Sequence, residues 1–150
     1  MLDKAIDVTG PWDITQASVF LRQAEIPIRV ASSGSRGPIV QSLGFDFDGA
    51  ALWCATQASS LLVQRLTANN DIGFEIAADT APYSGVRGTG TASIHPELAR
   101  AVLHRLITKY QGNSETDFST WLLSRLDKEV AIKINALTLA TWDFSGRTGG

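Results

Sequence analysis

The polar segment 56–60, Thr-Gln-Ala-Ser-Ser, has the residue types of an anion-binding site. It joins a predicted strand to a predicted helix, so its hydroxyls and the free N–H groups of the helix start converge. Several such donors suit a phosphate monoester. Arg65, one turn into the helix, and Arg29, on the neighbouring hairpin, could each add a positive charge. The alternative is that Ser59 or Ser60 only caps the helix.

The segment 85–90, Gly-Val-Arg-Gly-Thr-Gly, is superficially similar to a nucleotide-binding glycine loop. A dinucleotide loop requires a strand before the glycines and a helix directly after them. Here the glycines lie inside a predicted strand, so we reject dinucleotide binding and expect a bulged barrel strand. Arg87 is the cation among these small residues. If the bulged strand borders a pocket, we expect Arg87 to act there as a binding residue.

Cys54, His95 and His104 are the residues from which a thiol nucleophile would have to be built. Cys54 lies in an apolar predicted strand, where a free cysteine is usually a small core residue. His95 precedes a proline and is expected at a helix cap or on the surface, and His104 is expected on a polar helix face. The sequence has no serine elbow, metal-ligand pair or P-loop, so it gives hydrolase chemistry no support and identifies no catalytic residue.

Composition sets wide limits on the class of protein. The 150 residues form one predicted domain, 1–150, and a hydrophobic content of 44% excludes a disordered chain. The net charge of −2 argues against binding to nucleic acid or anionic membranes, which requires a basic excess. One cysteine and two histidines exclude an internal disulfide and a Cys/His zinc site. With no signal peptide and no apolar run of about 20 residues, we expect a cytoplasmic protein.

The elements that position these residues are mainly strands, because Val, Ile and Thr cluster in short runs bounded by Gly, Pro, Ser or Asp. The predicted strands cover residues 26–32, 39–47, 50–56, 72–78, 84–94 and 130–144. The predicted helices cover residues 15–25, 61–68, 96–112 and 117–126, and residues 145–150 form a loose tail. The first three strands are expected to form a hairpin-linked meander. The pattern predicts a mainly β, α+β fold: a six-stranded antiparallel barrel with flanking helices.

The order and spacing of these segments resemble the pyridoxamine 5′-phosphate oxidase-like, FMN-binding split-barrel family over about residues 15–112. The matching stretches are 28–31, 37–45, 48–56, the serine-capped helix start, 69–71 and 83–92. The resemblance implies a split barrel and a homodimer whose interface forms both walls of two flavin sites. The C-terminal substrate segment of the true oxidase is not recognisable, so pyridoxamine phosphate is not the expected substrate.

The resemblance also implies where a flavin would lie. Its ring would lie against the strand that carries Gln41, Ser42 and Leu43. Its phosphate would lie near Thr56, Gln57, Ser59 and Ser60, with Arg87 approaching from the partner or from the neighbouring strand. Arg29 and Arg65 are further candidate cations. Many relatives carry Lys or Arg in the first turn of the following helix, where this sequence has Leu62.

The function that the resemblance implies is that of an FMN-dependent oxidoreductase acting on a small-molecule substrate. Two alternatives stay open: a deazaflavin-dependent reductase, and a non-catalytic protein that binds flavin, haem or a tetrapyrrole. The flavin would do the redox chemistry, so no side chain is required as an acid or base. The expected homodimer would draw its core or interface anchors from the tryptophans Trp12, Trp53, Trp121 and Trp142.

Overall fold

The computed structural model describes residues 2–111, 120 and 123–147, and within them eight strands form one curled sheet. The strands are β1 (Asp7–Thr9), β2 (Ile28–Ser32), β3 (Ile39–Leu43), β4 (Asp46–Phe47), β5 (Leu52–Gln57), β6 (Asp71–Ala77), β7 (Ser84–His95) and β8 (Glu129–Asp143). The helices are α1 (Ile14–Gln23), α2 (Leu61–Ala68) and α3 (Ala99–Gln111), with short 3₁₀ turns at Pro96–Leu98, Leu126–Lys128 and Ser145–Arg147.

The sheet is antiparallel except where β1 joins it. The strand order is β3-β2-β6-β7-β8-β5-β4, and β1 pairs with β8 in parallel. The antiparallel α+β split barrel expected from the sequence is therefore confirmed, with eight strands instead of six. The additional strands are β1 and the separate β4.

The predicted strand 39–47 is broken, and its two halves lie at opposite edges of the sheet. β3 pairs with β2, whereas β4 pairs with β5. Helix α3 fixes the break, because Lys109 Nζ donates to the Phe45 carbonyl at 2.6 Å and the Phe45 N–H donates to the Tyr110 hydroxyl at 3.2 Å. Phe45 itself is fully buried. The expected three-strand meander is therefore wrong at its middle strand, although both of its hairpins, β2–β3 and β4–β5, are present.

The N-terminal strand β1 was not expected, because three residues are too few for a recognisable pattern. Gly10, with φ of 93°, follows it, and a Cβ there would lie 2.0 Å from the Thr141 carbonyl oxygen. The Trp12 N–H donates to Thr141 Oγ1 at 3.1 Å, which holds the segment against β8. Half of the predicted helix 117–126, including Trp121, lies outside the described residues, and so do residues 148–150 of the tail.

Local signals explain the helices and the bulge. Asp13 and Gln16 form a capping box at α1, and the Ser60 hydroxyl accepts the Val63 N–H at 3.2 Å at the start of α2. The register of β7 against β8 shifts between Thr89 and Gly90, so the bulge predicted from the glycines is confirmed. Among the described residues, no helix is long and apolar enough to cross a membrane.

Two apolar clusters lie on the two sides of the sheet. The barrel core contains, among others, Ile28, Ile76, Val86 and Cys54, all at 0% exposure. A smaller cluster packs α3 against β5 and includes Trp53, which is 8% exposed. Trp12 is half-buried at the margin of the barrel core. The sheet surface over β2, β6, β7 and β1 is left open.

Candidate functional site

The open surface of the sheet presents two parallel rows of side chains, set by the alternation of residues along each strand. The charged row runs across five strands: Arg29, Glu75, Arg87, Ala140 and Thr9. The small row runs beside it: Ala31, Gly73, Thr89, Thr138 and Asp7. Each residue lies directly opposite its neighbour in the row, so the pairing register alone brings these distant residues together.

A groove of about 530 Å³ covers both rows, and we call it the sheet groove. Its floor is made of small residues, including Ala31, Gly73 and Gly88, and exposed guanidinium groups stand at Arg29 and Arg87. An adjoining hollow of about 420 Å³ shares Ala31, Gly73 and Thr89 and continues towards Pro38 and Leu137. Cavities of this size are typical of cofactor sites.

Two glycines of the groove, Gly88 and Gly73, differ in how much space surrounds them. A Cβ at Gly88 would lie 2.1 Å from the Thr138 carbonyl oxygen and 2.9 Å from the Phe74 ring, so packing forbids a side chain. A Cβ at Gly73 would meet nothing closer than 3.8 Å. The space above Gly73 therefore belongs to the groove and is not filled by the chain's own atoms.

The charges of the groove are distributed unevenly. Within the described part of the chain, no ion pair engages Arg29, Glu75 or Arg87. The Arg87 guanidinium lies 5.7 Å from the centre of the Trp142 ring. Glu75 and Asp7 balance the two arginines in total, but Asp7 is at the far end of the small row, so the arginine end is locally positive. The guanidinium donors there are available to an anion.

The strand that the resemblance assigns to the flavin ring divides its side chains between two faces. Gln41 lies opposite Val30 and Leu43 opposite Ile28, both on the core face. Ser42 lies opposite Arg29 on the groove face, and Val40 lines the groove itself. The Gln41 Oε1 atom is buried and accepts no hydrogen bond from the residues that the structure describes.

The segment 56–60 lies apart from the sheet groove. Thr56 and Gln57 line a second cavity of about 430 Å³ between β5 and α3, which also includes Glu129. Burial raises the pKa of the Glu129 carboxyl, although Arg125 opposes this. Ser60 caps α2, as the helix-cap interpretation predicts, and Ser59 is exposed.

Two other candidates have structural partners. Arg65 Nε donates to Ser32 Oγ at 3.0 Å, and its Nη2 donates to the carbonyls of Ser32 and Gly37. This guanidinium therefore fixes the turn between β2 and β3. Leu62 is 2% exposed and packs in the barrel core, whereas its neighbour Leu61 is 47% exposed. An added cation in the first turn of α2 would therefore reach solvent from position 61 but not from position 62.

The thiol is excluded as a nucleophile. Cys54 is fully buried, and burial raises its pKa to about 12, so it stays protonated at neutral pH. His104 is exposed, as expected. Within the described residues, no group of three or more His, Cys, Asp or Glu side chains could hold a metal ion.

Sequence reasoning missed Glu75, Val40, Thr138 and Gly73 as groove residues. Each takes its place through pairing between strands that are far apart in the chain. Alternation along β6 would have put Gly73 and Glu75 on one face, but nothing in the sequence says which strands flank β6.

No family model matches the sequence, and no curated protein matches it. Solved structures do match. The conserved hypothetical protein Rv2991 from Mycobacterium tuberculosis is 20% identical, with a TM-score of 0.78 over 100% of this chain and 94% of that one. An F420 reductase is 18% identical, with a TM-score of 0.67 over 79% of this chain and 92% of that one.

A putative pyridoxamine 5′-phosphate oxidase from Listeria innocua is 14% identical, with a TM-score of 0.64 over 82% of this chain and 92% of that one. Other structures of this fold are described as a FAD-binding protein and a haem storage protein. At these identities the likeness concerns the fold, and at that level it confirms the resemblance found in the sequence.

Proposed function

From the premise that the chain has the split-barrel fold of pyridoxamine 5′-phosphate oxidase-like proteins, we propose that it is an FMN-dependent oxidoreductase. The observation that carries the proposal is the sheet groove, with its small-residue floor and the unpaired guanidiniums of Arg29 and Arg87. A flat ring fits on the floor and an anionic tail on the guanidiniums. The residues present therefore fit the cofactor, which when bound would supply the redox chemistry.

The chain's own residues bind and orient the cofactor. Arg29 and Arg87 hold the anionic group, and Glu75 between them keeps the local charge from exceeding one positive unit. Thr89 Oγ1 and Thr138 Oγ1 share a hydrogen bond of 2.8 Å on the groove face, and their remaining lone pairs can accept from a ring N–H. No acid or base is required of these side chains.

We also propose that the active form is a homodimer. In one chain the segment 56–60 and the arginines of the sheet groove line different cavities. A site that combines both sets of residues therefore has to draw them from two copies. The groove face also exposes Val40 at 65% and Leu137 at 54%, apolar surface that a second copy would cover. Sedimentation at micromolar concentration tests this, and a mass near that of one chain would contradict it.

A deazaflavin is the second candidate, because the sheet groove continues into the adjoining hollow and could take a longer anionic tail. Haem fits less well. Haem iron is usually bound by an axial protein ligand such as histidine, and neither His95 nor His104 is among the described residues that line the sheet groove. The absorption spectrum of the purified protein separates the cases: flavin peaks, a deazaflavin band or a Soret band.

The decisive titration compares FMN with riboflavin by quenching of flavin fluorescence. The two ligands share the ring and the ribityl chain, so only contacts to the phosphate differ. Two charge-assisted hydrogen bonds are expected to separate the affinities by about 2 kcal/mol, or roughly thirtyfold. Equal affinities would contradict a phosphate site, and no binding of any flavin would contradict the proposed function.

A further inference from the structure

The C-terminal end of β7 carries three side chains joined in a hydrogen-bonded chain. Ser93 Oγ lies 2.7 Å from His95 Nε2, and His95 Nδ1 lies 3.2 Å from Glu97 Oε1. Ser93 and His95 share a strand face because they are two residues apart. The turn into the 3₁₀ segment Pro96–Leu98 then brings Glu97 back to the ring.

The Glu97 contact fixes which ring nitrogen carries the proton. A backbone hydrogen bond at Glu97 and the hydrogen bond from His95 hold the pKa of this carboxyl below its usual range. An ionised carboxylate only accepts hydrogen bonds, so Nδ1 is the donor. In the neutral ring Nε2 is then free to accept the Ser93 O–H. This is the arrangement in which a histidine can remove a serine proton.

A cation and an aromatic ring border this chain of side chains. Lys133 lies directly opposite Ser93 in the β7–β8 register, and Trp53 lies directly opposite Lys133 on β5. The Lys133 ammonium lies 5.7 Å from the centre of the Trp53 ring, and the centre of the His95 ring lies 5.8 Å from the centre of the same Trp53 ring. Side chains directly opposed across strands are neighbours, so the flexible Lys133 side chain is within reach of negative charge that develops beside Ser93.

The site is open to solvent. The His95 side chain is 29% exposed and the Glu97 side chain 66% exposed, and Ser93 is half-buried. Substrate therefore approaches from solution, with the Trp53 ring as an apolar wall. A site this shallow favours small esters with good leaving groups over extended substrates.

We propose that Ser93, His95 and Glu97 form an esterolytic centre that hydrolyses small activated carboxylic esters, independently of the sheet groove. Ser93 Oγ attacks the carbonyl carbon while its proton passes to His95 Nε2. The C–O bond of the ester breaks, and His95 returns the proton to the leaving alcohol. Water then attacks the acyl carbon, gives a proton to His95, and releases the acid as Ser93 Oγ takes its proton back. Lys133 stabilises the oxyanion of both steps.

The test is hydrolysis of 4-nitrophenyl acetate by the full chain, followed by nitrophenolate absorbance. Ser93→Ala and His95→Ala are each expected to lower kcat/KM by at least about 100-fold. The matched controls are Ser84→Ala, at the other end of the same strand, and His104→Ala, the other histidine, and both keep the wild-type rate. Circular dichroism verifies that each variant is folded. An unchanged rate in folded Ser93→Ala protein would overturn the proposal.

Covalent labelling gives a readout that a structural role would not move. A fluorophosphonate probe is expected to modify Ser93, located by mass spectrometry of the peptide, and His95→Ala abolishes the labelling. Glu97 is a positioning residue: Glu97→Gln lowers kcat more than it changes KM, because an amide can donate to the ring as well as accept from it and so no longer fixes which ring nitrogen carries the proton. Labelling elsewhere, or none, would mean that the three side chains only secure the strand end.

Discussion

Strand β7 presents two different surfaces along its length. Up to Thr91 it lies between β6 and β8, and this half contributes Arg87 and Thr89 to the sheet groove. From Ala92 to His95 it pairs with β8 alone, and there Ser93 and His95 bond to each other. The register shift between Thr89 and Gly90 lies two residues before this border.

The two halves differ in how their polar groups are satisfied. In the groove half the guanidiniums of Arg29 and Arg87 form no ion pair within the described residues, so their hydrogen-bond donors are available to a ligand. In the other half the Ser93 hydroxyl, the His95 imidazole and the Glu97 carboxylate form hydrogen bonds with one another. Unsatisfied charge favours binding of an anion, whereas a satisfied chain favours transfer of a proton. The same strand therefore supports two kinds of chemistry.

The largest expected effect is a loss of stability when a residue in the groove half of β7 is enlarged. Gly88→Ala forces a methyl group against the Thr138 carbonyl and the Phe74 ring, so we expect a loss of about 2–3 kcal/mol in unfolding free energy. Gly73→Ala is the matched control: its methyl group meets only ordinary contacts, so stability stays level or rises slightly. Denaturant unfolding measures both. Equal losses would show that the whole floor, and not Gly88 alone, depends on packing.

Removal of the groove's positive charge is expected to affect binding and not folding. Arg87→Ala weakens FMN by roughly tenfold or more, because charge-assisted contacts to the phosphate are lost. The melting temperature moves little, since the residue is exposed. Arg100→Ala, an exposed arginine on α3, is the control and leaves the affinity unchanged. Wild-type affinity in Arg87→Ala would make Arg87 an ordinary surface residue.

The second half of β7 is supported by Asp48, which accepts the Trp53 Nε1–H at 2.8 Å and holds that ring beside His95. Burial raises the pKa of Asp48, but hydrogen bonds from Ala51, Trp53 and Ala50, with Lys133 nearby, lower it further than burial raises it. Asp48→Asn is expected to cost about 1 kcal/mol at neutral pH.

The pH dependence of this loss has a definite sign. A carboxyl whose pKa is lower in the folded state stabilises the fold above its unfolded pKa, for which the ordinary value is 3.8. That stabilisation disappears as the pH falls through the folded value. The difference between wild type and Asp48→Asn is therefore full at pH 5–7 and shrinks below pH 4. A difference that grows in acid would contradict the assignment.

The smallest expected effect concerns a third cation for the phosphate. Leu61→Lys adds an exposed charge in the first turn of α2, and in the proposed dimer it tightens FMN by about two- to fivefold without changing riboflavin. Leu62→Lys is the contrasting variant. It would bury an ammonium in the core and unfold the protein, so the basic position of the relatives cannot be restored there. Equal changes in the affinities for FMN and riboflavin would mean that the phosphate does not bind near the start of α2.

Local rules explain what the sequence could reveal. The bounds of α2 follow from Ser60 as cap and the polar turn after Ala68, and the glycines of β7 marked the bulge. The break at Phe45 could not be seen, because Lys109 and Tyr110, which cause it, are 64 and 65 residues away. Nearby signals existed for two features that the sequence analysis missed. The i, i+4 spacing of Leu62 and Leu66 indicates that Leu62 lies on the buried face of α2. The spacing of two between Ser93 and His95 places them on the same face of β7.

The candidate site depended on information of another kind. Gln41 and Ser42 are neighbours in sequence, yet they lie on opposite faces of the sheet. Arg29 and Arg87 are 58 positions apart in the numbering, yet one strand alone separates them, because each pairs with Glu75. Residue types alone could identify the arginines as candidates. Their meeting across Glu75 is a property of strand order, which the sequence does not state.

The position of β8 in the sheet has a consequence for the order of events when the protein is made. This strand, from Glu129 to Asp143, pairs with β7, β5 and β1, and its contact with Asp7 spans nearly the whole chain. Until the ribosome has delivered it, neither β5 nor β1 can be joined through the sheet to the hairpins formed by β2, β3, β6 and β7. Folding must therefore wait for synthesis past residue 143, and such non-local pairing is expected to take milliseconds to seconds. During that interval the nascent barrel exposes unpaired strand edges, and this is when the chain is most prone to aggregate.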